Sequence, residues 1–399
     1  MNCMQAEVNI GILGHVDHGK TTLTHAITGK WTDTHSEEIK RGISIRVGYA
    51  DAQIYHCKKC DRHTFSEKCP SCKQPAMPKR KISFIDAPGH ETLMTAVIAA
   101  SSLLDGAIFL VAANEPCPQP QTAEHLMILN LLDLKNILVI QTKVDLASRE
   151  QAQKNYTQIK EFLKGSVAEN APIVPVSATY KLNVETLADW IERSFPTPSR
   201  EKDVPLRMYI SRSFDVNKPG TPIPKLQGGV IGGSIVKGQL KKGDAFELRP
   251  GIVRKQGSAP LAIVSEVANM QEEQEMLEAA GPGGLIALAT RLDPGIAKSD
   301  GLAGSVVGRP GELPEVVSTL QVKYKLLPRQ DIENPPLKMG EPLAINVYTA
   351  TTVGAIAQLS KGIATIRLKK PVVAEKNAKV ALSRRLGQRW RLAAWGTVL

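Results

Sequence analysis

The stretch VNIGILGHVDHGKT, residues 8–21, decides the fold of this chain. Its first six residues are a largely apolar run that predicts a buried strand, and residues 14–21 match the pattern GxxxxGK followed by Ser or Thr. Helical spacing of apolar side chains follows over residues 20–28. In such a strand–turn–helix unit, successive backbone N–H groups and the helix N-terminus face one point and attract anions. The sequence therefore predicts a loop that holds the phosphates of a nucleotide.

Two groups in this loop and a second motif complete the phosphate side of the predicted site. Lys20 should reach the β and γ phosphates, and the Thr21 hydroxyl should bind Mg²⁺. The motif DAPG, residues 86–89, ends the next short apolar run. There Asp86 can hold Mg²⁺ through a water molecule. The Gly89 amide can meet the γ-phosphate, because glycine lets the backbone approach closely.

A third and a fourth motif predict how the base is recognised. The tetrapeptide TKVD, residues 142–145, follows an apolar run, and the carboxylate of Asp145 can accept hydrogen bonds from guanine N1 and N2. Adenine offers no such pair of donors, so an ATPase would require Asp145 to be irrelevant to the base. Ser177 and Ala178 follow another apolar run, where a backbone N–H could contact guanine O6. Each tetrapeptide is a weak signal alone, whereas the ordered set predicts a GTP site.

The order of strand and helix patterns predicts the fold class. Apolar runs alternate with helical patterns up to about residue 195, which indicates an α/β domain with a mostly parallel sheet and helices on both faces. A linker rich in proline and charge covers residues 195–205, and short β runs broken by glycine follow, as in an all-β barrel or sandwich. A second break lies at residues 308–315. We therefore expect domains at 1–204, 205–313 and 314–399.

Charge is concentrated in the last of these domains. The 399 residues contain 50 Lys and Arg against 39 Asp and Glu, a net charge of +11. Residues 316–399 hold 14 basic and 4 acidic residues, so 14 − 4 = +10 of the excess lies there. Such a module indicates a polyanionic partner, most often a nucleic acid. Residues 1–6 show no secretory signal and no segment favours a membrane span, so we expect a cytoplasmic protein.

Four cysteines form a predicted metal site, which we call the zinc knuckle, residues 57–72. Cys57 and Cys60 form one CxxC pair, and Cys69 and Cys72 form the other. Four thiolates at this spacing suit tetrahedral Zn²⁺. Because sulfur fills every position, the site should be structural and not catalytic.

With the motifs GHVDHGKT (14–21) and DAPGH (86–90), the chain resembles the translational GTPases, which carry these same sequences. Across almost its whole length it is similar to the gamma subunits of archaeal and eukaryotic translation initiation factor 2. The stretches that carry this resemblance are WTDTHSEEIKRGISI (31–45), the zinc knuckle, ANEPCPQPQTAEHL (113–126), GSVAENAPIVPVSA (165–178), RSFDVNKPGT (212–221) and LSRRLGQRWRLAAWG (382–396).

The resemblance implies a GTPase domain followed by two β-barrels. It implies a carrier that brings initiator methionyl-tRNA to the small ribosomal subunit in its GTP form. The family works as a heterotrimer with alpha and beta subunits. No arginine finger can be assigned from the sequence, so we expect slow hydrolysis that an outside GTPase activator or the ribosome accelerates.

The resemblance also assigns roles residue by residue. It places these residues at the phosphates: Asp17, His18, Gly19, Lys20, Thr21 and Thr22. It implies that Thr21 and Ser44 bind the catalytic Mg²⁺, and that Asp17 and the Gly42 carbonyl are associated with a second Mg²⁺. His90 matches the residue that orients the attacking water. It places these residues at guanine: Thr142, Lys143, Asp145, Ser177, Ala178 and Thr179.

Two departures from the family leave alternatives open. Ser44 stands where the family has Thr, which keeps the hydroxyl, and Thr142 stands where the family has Asn. The Asn amide bridges base and phosphate loop, and threonine cannot make both contacts. A nucleotide-bound scaffold without turnover is therefore one alternative. A second is the elongation factor for selenocysteinyl-tRNA, which shares both GTPase motifs but normally lacks the four-cysteine insertion.

Overall fold

The computed structural model describes residues 5–32, 47–88, 94–252, 260–329, 332–387 and 389–399. Its internal contacts divide the chain into two compact units. The first unit comprises residues 6–97 and 104–198, and the second comprises residues 1–5, 98–103 and 199–399. None of the described helices is long and apolar enough to cross a membrane.

The first unit is built on a seven-stranded sheet. Its strands are β1 Val8–Gly14, β2 Gly48–Cys57, β3 Arg62–Thr64, β4 Met77–Asp86, β5 Gly106–Ala112, β6 Ile137–Thr142 and β7 Ile173–Pro175. They lie in the order β3-β2-β4-β1-β5-β6-β7. Neighbours from β4 to β7 in this order run parallel, whereas β2 and β3 are antiparallel additions at one edge. The parallel part is the one that the apolar runs predicted.

Helices complete this unit: α1 Lys20–Thr28, α3 Pro120–Leu132, α4 Arg149–Leu163, α5 Leu187–Ser194 and the first half of α2 Met94–Ser101, whose residues 98–101 belong to the second unit. Every residue of β1 and of β5 is buried, because both faces of a parallel sheet are covered. One apolar core joins the central strands to α1 and α5, with Phe84, Ile108, Leu138 and Ile191 all fully buried.

Two closed six-stranded β-barrels form most of the second unit. The first barrel contains β8 Arg207–Phe214, β9 Val230–Lys237, β11 Ala245–Ile252, β12 Leu261–Glu272, β15 Ile286–Thr290 and β16 Val306–Gly308. The pairing of β11 with β12 closes it. Minor elements decorate it: β10 Leu240–Lys241, β13 Glu275–Leu277, β14 Ala279–Ala280 and α6 Pro294–Ala297.

The second barrel contains β17 Val316–Leu326, β18 Pro342–Val347, β19 Ala350–Ser360, β20 Ile363–Val373, β21 Lys379–Leu386 and β22 Arg389–Val398. The strands close in the order β17-β20-β19-β18-β21-β22. Burial alternates along β19, as expected when one face of each strand lines a core and the other meets water. The predicted fold class is thus confirmed, and barrels replace the open choice between barrel and sandwich.

Candidate functional site: a phosphate loop, a base-reading edge and a metal knuckle

The phosphate loop joins β1 to α1 and carries two glycines that its shape requires. Gly14 has a φ of 151°, and a Cβ added there would lie 2.6 Å from the Leu110 carbonyl oxygen. Gly19 has a φ of 83° immediately before α1. Asp17 is a non-glycine residue with a positive φ, 61°. These backbone angles turn the chain sharply enough to aim the loop and the helix N-terminus at one point.

Lys20 is held against the backbone of this loop by a hydrogen bond. Its Nζ donates a 2.8 Å hydrogen bond to the His15 carbonyl oxygen. The side chain is largely buried, so its charge is poorly screened by water. An ammonium held against the backbone of the loop is suited to neutralise phosphate oxygens.

The hydroxyl and the carboxylate predicted for Mg²⁺ lie together. Thr21 Oγ1 donates a 2.8 Å hydrogen bond to Asp86 Oδ2, and Thr32 Oγ1 donates to the same oxygen at 2.6 Å. Asp86 is 1% exposed at the end of β4. Oxygen donors of this kind are the ligands that Mg²⁺ prefers, so the donor set fits the ion. Thr32 belongs to no motif, and sequence reasoning missed it.

The residues predicted to contact the base share one edge of the sheet with the phosphate loop. Strand register pairs Gly14 with Leu110 and Ala112 with Thr142, so the carboxyl ends of β1, β5 and β6 are aligned. Thr142 Oγ1 donates a 2.8 Å hydrogen bond to the His18 carbonyl oxygen and thereby ties β6 to the loop. This threonine makes the loop contact expected of the family's asparagine.

The remaining residues predicted for guanine are arranged on either side of Thr142. Asp145 is exposed in a short 3₁₀ turn, residues 144–146, directly after Lys143, whose φ is 55°. Ser177 is buried beyond the end of β7, and its Oγ accepts a 3.3 Å hydrogen bond from the Tyr180 N–H. Ala178 is half-buried and Thr179 exposed in the same turn, and Thr22 is half-buried on α1. Residues just beyond the carboxyl ends of parallel strands are the usual place for nucleotide sites in such sheets.

Two buried histidines support the loop from behind. His18 Nδ1 donates to the Leu110 carbonyl oxygen at 3.1 Å, and its Nε2 lies 3.4 Å from Glu115. Burial outweighs the effect of Glu115 and lowers the pKa of His18 to about 4, so the ring is neutral near pH 7. His125, on α3, accepts a 3.0 Å hydrogen bond from the Gly14 N–H. Burial, with the nearby positive charge of Lys20, lowers the pKa of His125 to about 3.

The four knuckle cysteines converge. Their Sγ atoms all lie within 4.8 Å of one another, with 3.5 Å between Cys57 and Cys72 and 3.9 Å between Cys60 and Cys69. A tetrahedron with Zn–S bonds of about 2.3 Å has S···S edges of about 3.8 Å. Backbone N–H groups of Cys72 and Ser71 lower the pKa of the Cys69 thiol to about 6, which favours the thiolate that a metal needs. The four sulfurs fit Zn²⁺.

Helix α5 anchors the strand next to the knuckle. Asp189 accepts hydrogen bonds from the His63 N–H at 2.7 Å and from His63 Nδ1 at 3.0 Å, and it pairs with Arg62. Burial raises the pKa of the Asp189 carboxyl, but these hydrogen bonds together bring it below its usual value. Glu192 pairs with Lys79 at 2.8 Å and with Arg80 at 2.9 Å. Ion pairs thus connect β3 and β4 to helix α5. Three side chains in these pairs, Asp189, Glu192 and Arg80, are largely shielded from solvent.

Two protein-family models match this chain. The family model "Elongation factor Tu GTP binding domain" matches residues 5–197, and "Initiation factor eIF2 gamma, C terminal" matches residues 318–398. Translation initiation factor 2 subunit gamma of Methanocaldococcus jannaschii is 50% identical over 401 residues, covering 99% of this chain and 98% of that protein. The same subunit of Pyrococcus horikoshii is 51% identical with the same coverage.

The chain belongs to the translation initiation factor 2 gamma family. It is therefore a translational GTPase of initiation, and this family uses GTP, GDP and Mg²⁺. The solved structure of a bacterial selenocysteine-specific elongation factor has a TM-score of 0.76 at 27% identity, and the chain covers 58% of it. The elongation factor SelB from Methanococcus maripaludis, at 22% identity and a TM-score of 0.74, shares the fold. The far higher identity to initiation factor subunits favours the gamma family over the selenocysteine alternative.

Four residues that the motifs or the gamma-family resemblance assign to catalysis or metal binding lie outside the described residues: Gly42, Ser44, Gly89 and His90. Their roles stay predictions. The structure adds Thr32 and His125, which no motif includes. The only sequence signal for Thr32 was its place at the start of the stretch 31–45, and His125 lies within the stretch 113–126.

Proposed function

We propose that the chain carries initiator methionyl-tRNA to the small ribosomal subunit in its GTP form and releases it after hydrolysis. The observation that carries this proposal is a basic surface on the second barrel, in the same chain as a phosphate loop of the gamma family. Salt-dependent contacts with RNA phosphates are the chemistry that such a surface provides.

The basic surface consists of exposed Lys and Arg side chains on the second barrel. Among the described residues of this barrel, the exposed cationic side chains include the six that we define as the basic surface: Lys361, Arg367, Lys369, Lys370, Arg385 and Arg389. Arg384 is excluded, because it is 7% exposed and its guanidinium bonds to Glu341 and to the Asn334 side chain. The basic residues of this barrel thus include exposed side chains that can contact RNA, and also Arg384, whose hydrogen bonds stay within the barrel domain.

The chain's own groups suggest how nucleotide and RNA binding are linked. Thr32 is bonded to Asp86, so the segment that follows Thr32 begins at the predicted metal site. We propose that Lys20 neutralises the phosphates, that Thr21 and Ser44 ligate Mg²⁺ with Asp86 behind a water molecule, and that His90 orients the attacking water beside the Gly89 amide. A bound γ-phosphate would then favour one conformation of the neighbouring segments, and its loss would release them.

Partners and domain limits belong to the same proposal. The relatives are named as gamma subunits, which supports assembly with alpha and beta subunits in a cytoplasmic heterotrimer, with a GTPase activator acting on the complex. We also propose domains 1–204, 205–313 and 314–399. The second boundary falls in the interval between β16, which ends at Gly308, and β17, which begins at Val316.

A filter-binding experiment tests the carrier proposal. Initiator methionyl-tRNA and an elongator tRNA are each titrated in the presence of GTP and of GDP. We expect strong retention of the initiator tRNA with GTP alone, weakened by rising salt and by the double variant Lys369→Glu, Lys370→Glu. The control Lys154→Glu, on exposed α4, should leave retention unchanged. Equal retention in all four conditions would remove the carrier function.

A further inference from the structure

One buried contact behind the phosphate loop has no role in the predicted chemistry. The N–H of Gly14, the last residue of β1, donates a 3.0 Å hydrogen bond to His125 Nδ1. Both residues are buried. Gly14 is also the first residue of the loop motif, and the Leu110 backbone leaves no room there for a side chain. His125 therefore contacts the point where the sheet becomes the loop.

The protonation state of His125 follows from this contact. Because the Gly14 N–H donates, Nδ1 must carry the lone pair and the ring proton must be on Nε2. Burial and the charge of Lys20 oppose a second proton. An uncharged ring at this place also leaves the charge of Lys20 free of a competing cation beside it.

The fold gains little stability from a histidine here. Among the residues that the structure describes, none forms a hydrogen bond with the buried His125 Nε2, and such an unpaired group costs about 1–3 kcal/mol. A leucine would fill similar volume on α3, among buried Leu126, Ile128 and Leu129, without that penalty. What a leucine cannot do is accept the Gly14 N–H, which would then be buried without a partner.

We propose that His125 is a positioning residue for nucleotide binding: its Nδ1 fixes the Gly14 backbone and so the course of the loop that receives the phosphates. Helix α3 and the loop are thereby joined by one hydrogen bond, and a shift of α3 changes the loop. This proposal concerns the GTP site alone and does not depend on the identity of the RNA cargo.

Matched variants test the proposal. His125→Leu removes the acceptor, whereas His125→Asn returns an acceptor oxygen the same number of bonds from the backbone. Ile128→Val is the stability control, because it removes core packing from the same helix and no hydrogen bond. GDP dissociation rates and unfolding midpoints are measured for all of them in the full chain.

We expect GDP to dissociate about tenfold faster from His125→Leu, equivalent to about 1.4 kcal/mol. We expect His125→Asn to recover most of this loss and Ile128→Val to dissociate GDP at the wild-type rate. The proposal is overturned if His125→Leu and Ile128→Val change the rate equally, or if Asn restores nothing.

A measurement on the unaltered protein covers the case in which His125→Leu does not fold. Nitrogen NMR of the labelled chain should show an unprotonated His125 Nδ1 at pH 7, with a scalar coupling across the hydrogen bond to the Gly14 nitrogen. A proton on Nδ1 would contradict the proposed contact.

Discussion

The phosphate loop and the zinc knuckle belong to the same unit, yet they are held in different ways. The loop is fixed by bonds that the protein makes with itself, from Lys20 to the His15 carbonyl, from Thr142 to the His18 carbonyl and from Gly14 to His125. The buried residues of the knuckle's own apolar cluster are only Cys57, Cys69 and Ala76. The difference teaches that a site can be preformed by hydrogen bonds where a large core surrounds it, whereas a small insertion needs a metal.

Removing the zinc ligands should have the largest effect on local structure, and this effect should be confined to the knuckle. If the knuckle and the phosphate loop are coupled, GDP affinity should fall as well. The double variant Cys57→Ser, Cys60→Ser should lose zinc entirely, because two of four thiolate ligands are gone. Amide hydrogens of residues 57–72 should then exchange with solvent without protection. Zinc analysis and hydrogen-exchange mass spectrometry measure both effects.

The rest of the unit should tolerate this loss. We expect GDP affinity in the cysteine variant within about threefold of wild type, which is under 1 kcal/mol. The anchor control Asp189→Asn weakens the contacts to Arg62 and His63 but should retain one zinc per chain. A large fall in GDP affinity on zinc loss would show that the knuckle supports the nucleotide site.

Lys20→Ala should have the next largest effect, this time confined to the loop. Loss of a charge-assisted contact to phosphate, about 3 kcal/mol, corresponds to at least about a hundredfold weaker GDP binding. Zinc content should be unchanged. Calorimetric titration with GDP measures the effect, with Lys154→Ala on the exposed face of α4 as control. Near-normal affinity would place the phosphates elsewhere.

Acid should act on the loop through its buried histidines. Their pKa values lie below the unfolded value of 6.5, at about 4 for His18 and about 3 for His125. Protons therefore bind the unfolded chain preferentially, and stability that is complete above pH 6.5 is lost as the pH falls. Between pH 6 and its own folded pKa, each histidine lowers the free energy of unfolding by up to about 1.4 kcal/mol per pH unit.

The variant His125→Asn isolates one of these two contributions. Its free energy of unfolding should fall less steeply between pH 6 and pH 5 than that of the wild type, followed through exchange of the core amides of β5. Identical pH slopes for the two proteins would mean that His125 is not held neutral by burial.

Thr142→Asn should have the smallest effect. Thr142 already makes the loop contact through its hydroxyl, so the asparagine can add only the predicted contact with the base. One added hydrogen bond of about 1 kcal/mol predicts a gain of a few fold in GDP affinity. Competition binding against GDP checks it, and a loss of affinity would show that the hydroxyl contact cannot be replaced.

The sequence predicted the parts of the molecule that depend on local pattern. Apolar runs located β1, β5 and β6, and the TKVD motif with the family resemblance assigned Thr142 to the nucleotide site. Cysteine spacing predicted a cluster that the structure brings together. These features share one property: each needs only a short stretch and a known geometry.

Features made by distant residues could not be predicted in this way. His125 meets Gly14 across 111 positions, and no motif connects them. Arg384 resembles its exposed neighbours in sequence, and only its contacts with Asn334 and Glu341 in the folded chain show that it is buried. The sequence pattern predicts whether a residue lies in a strand, a helix or a loop. The hydrogen-bond partners of its side chain are known only from the folded chain, because they come from distant parts of the sequence.

A crystal structure of the chain with GDP and Mg²⁺ tests the central claim most directly. The account predicts phosphate density against the N–H groups of residues 14–21, with Mg²⁺ next to Thr21 and the guanine edge on Asp145. An unoccupied loop with the nucleotide bound at another place would contradict it.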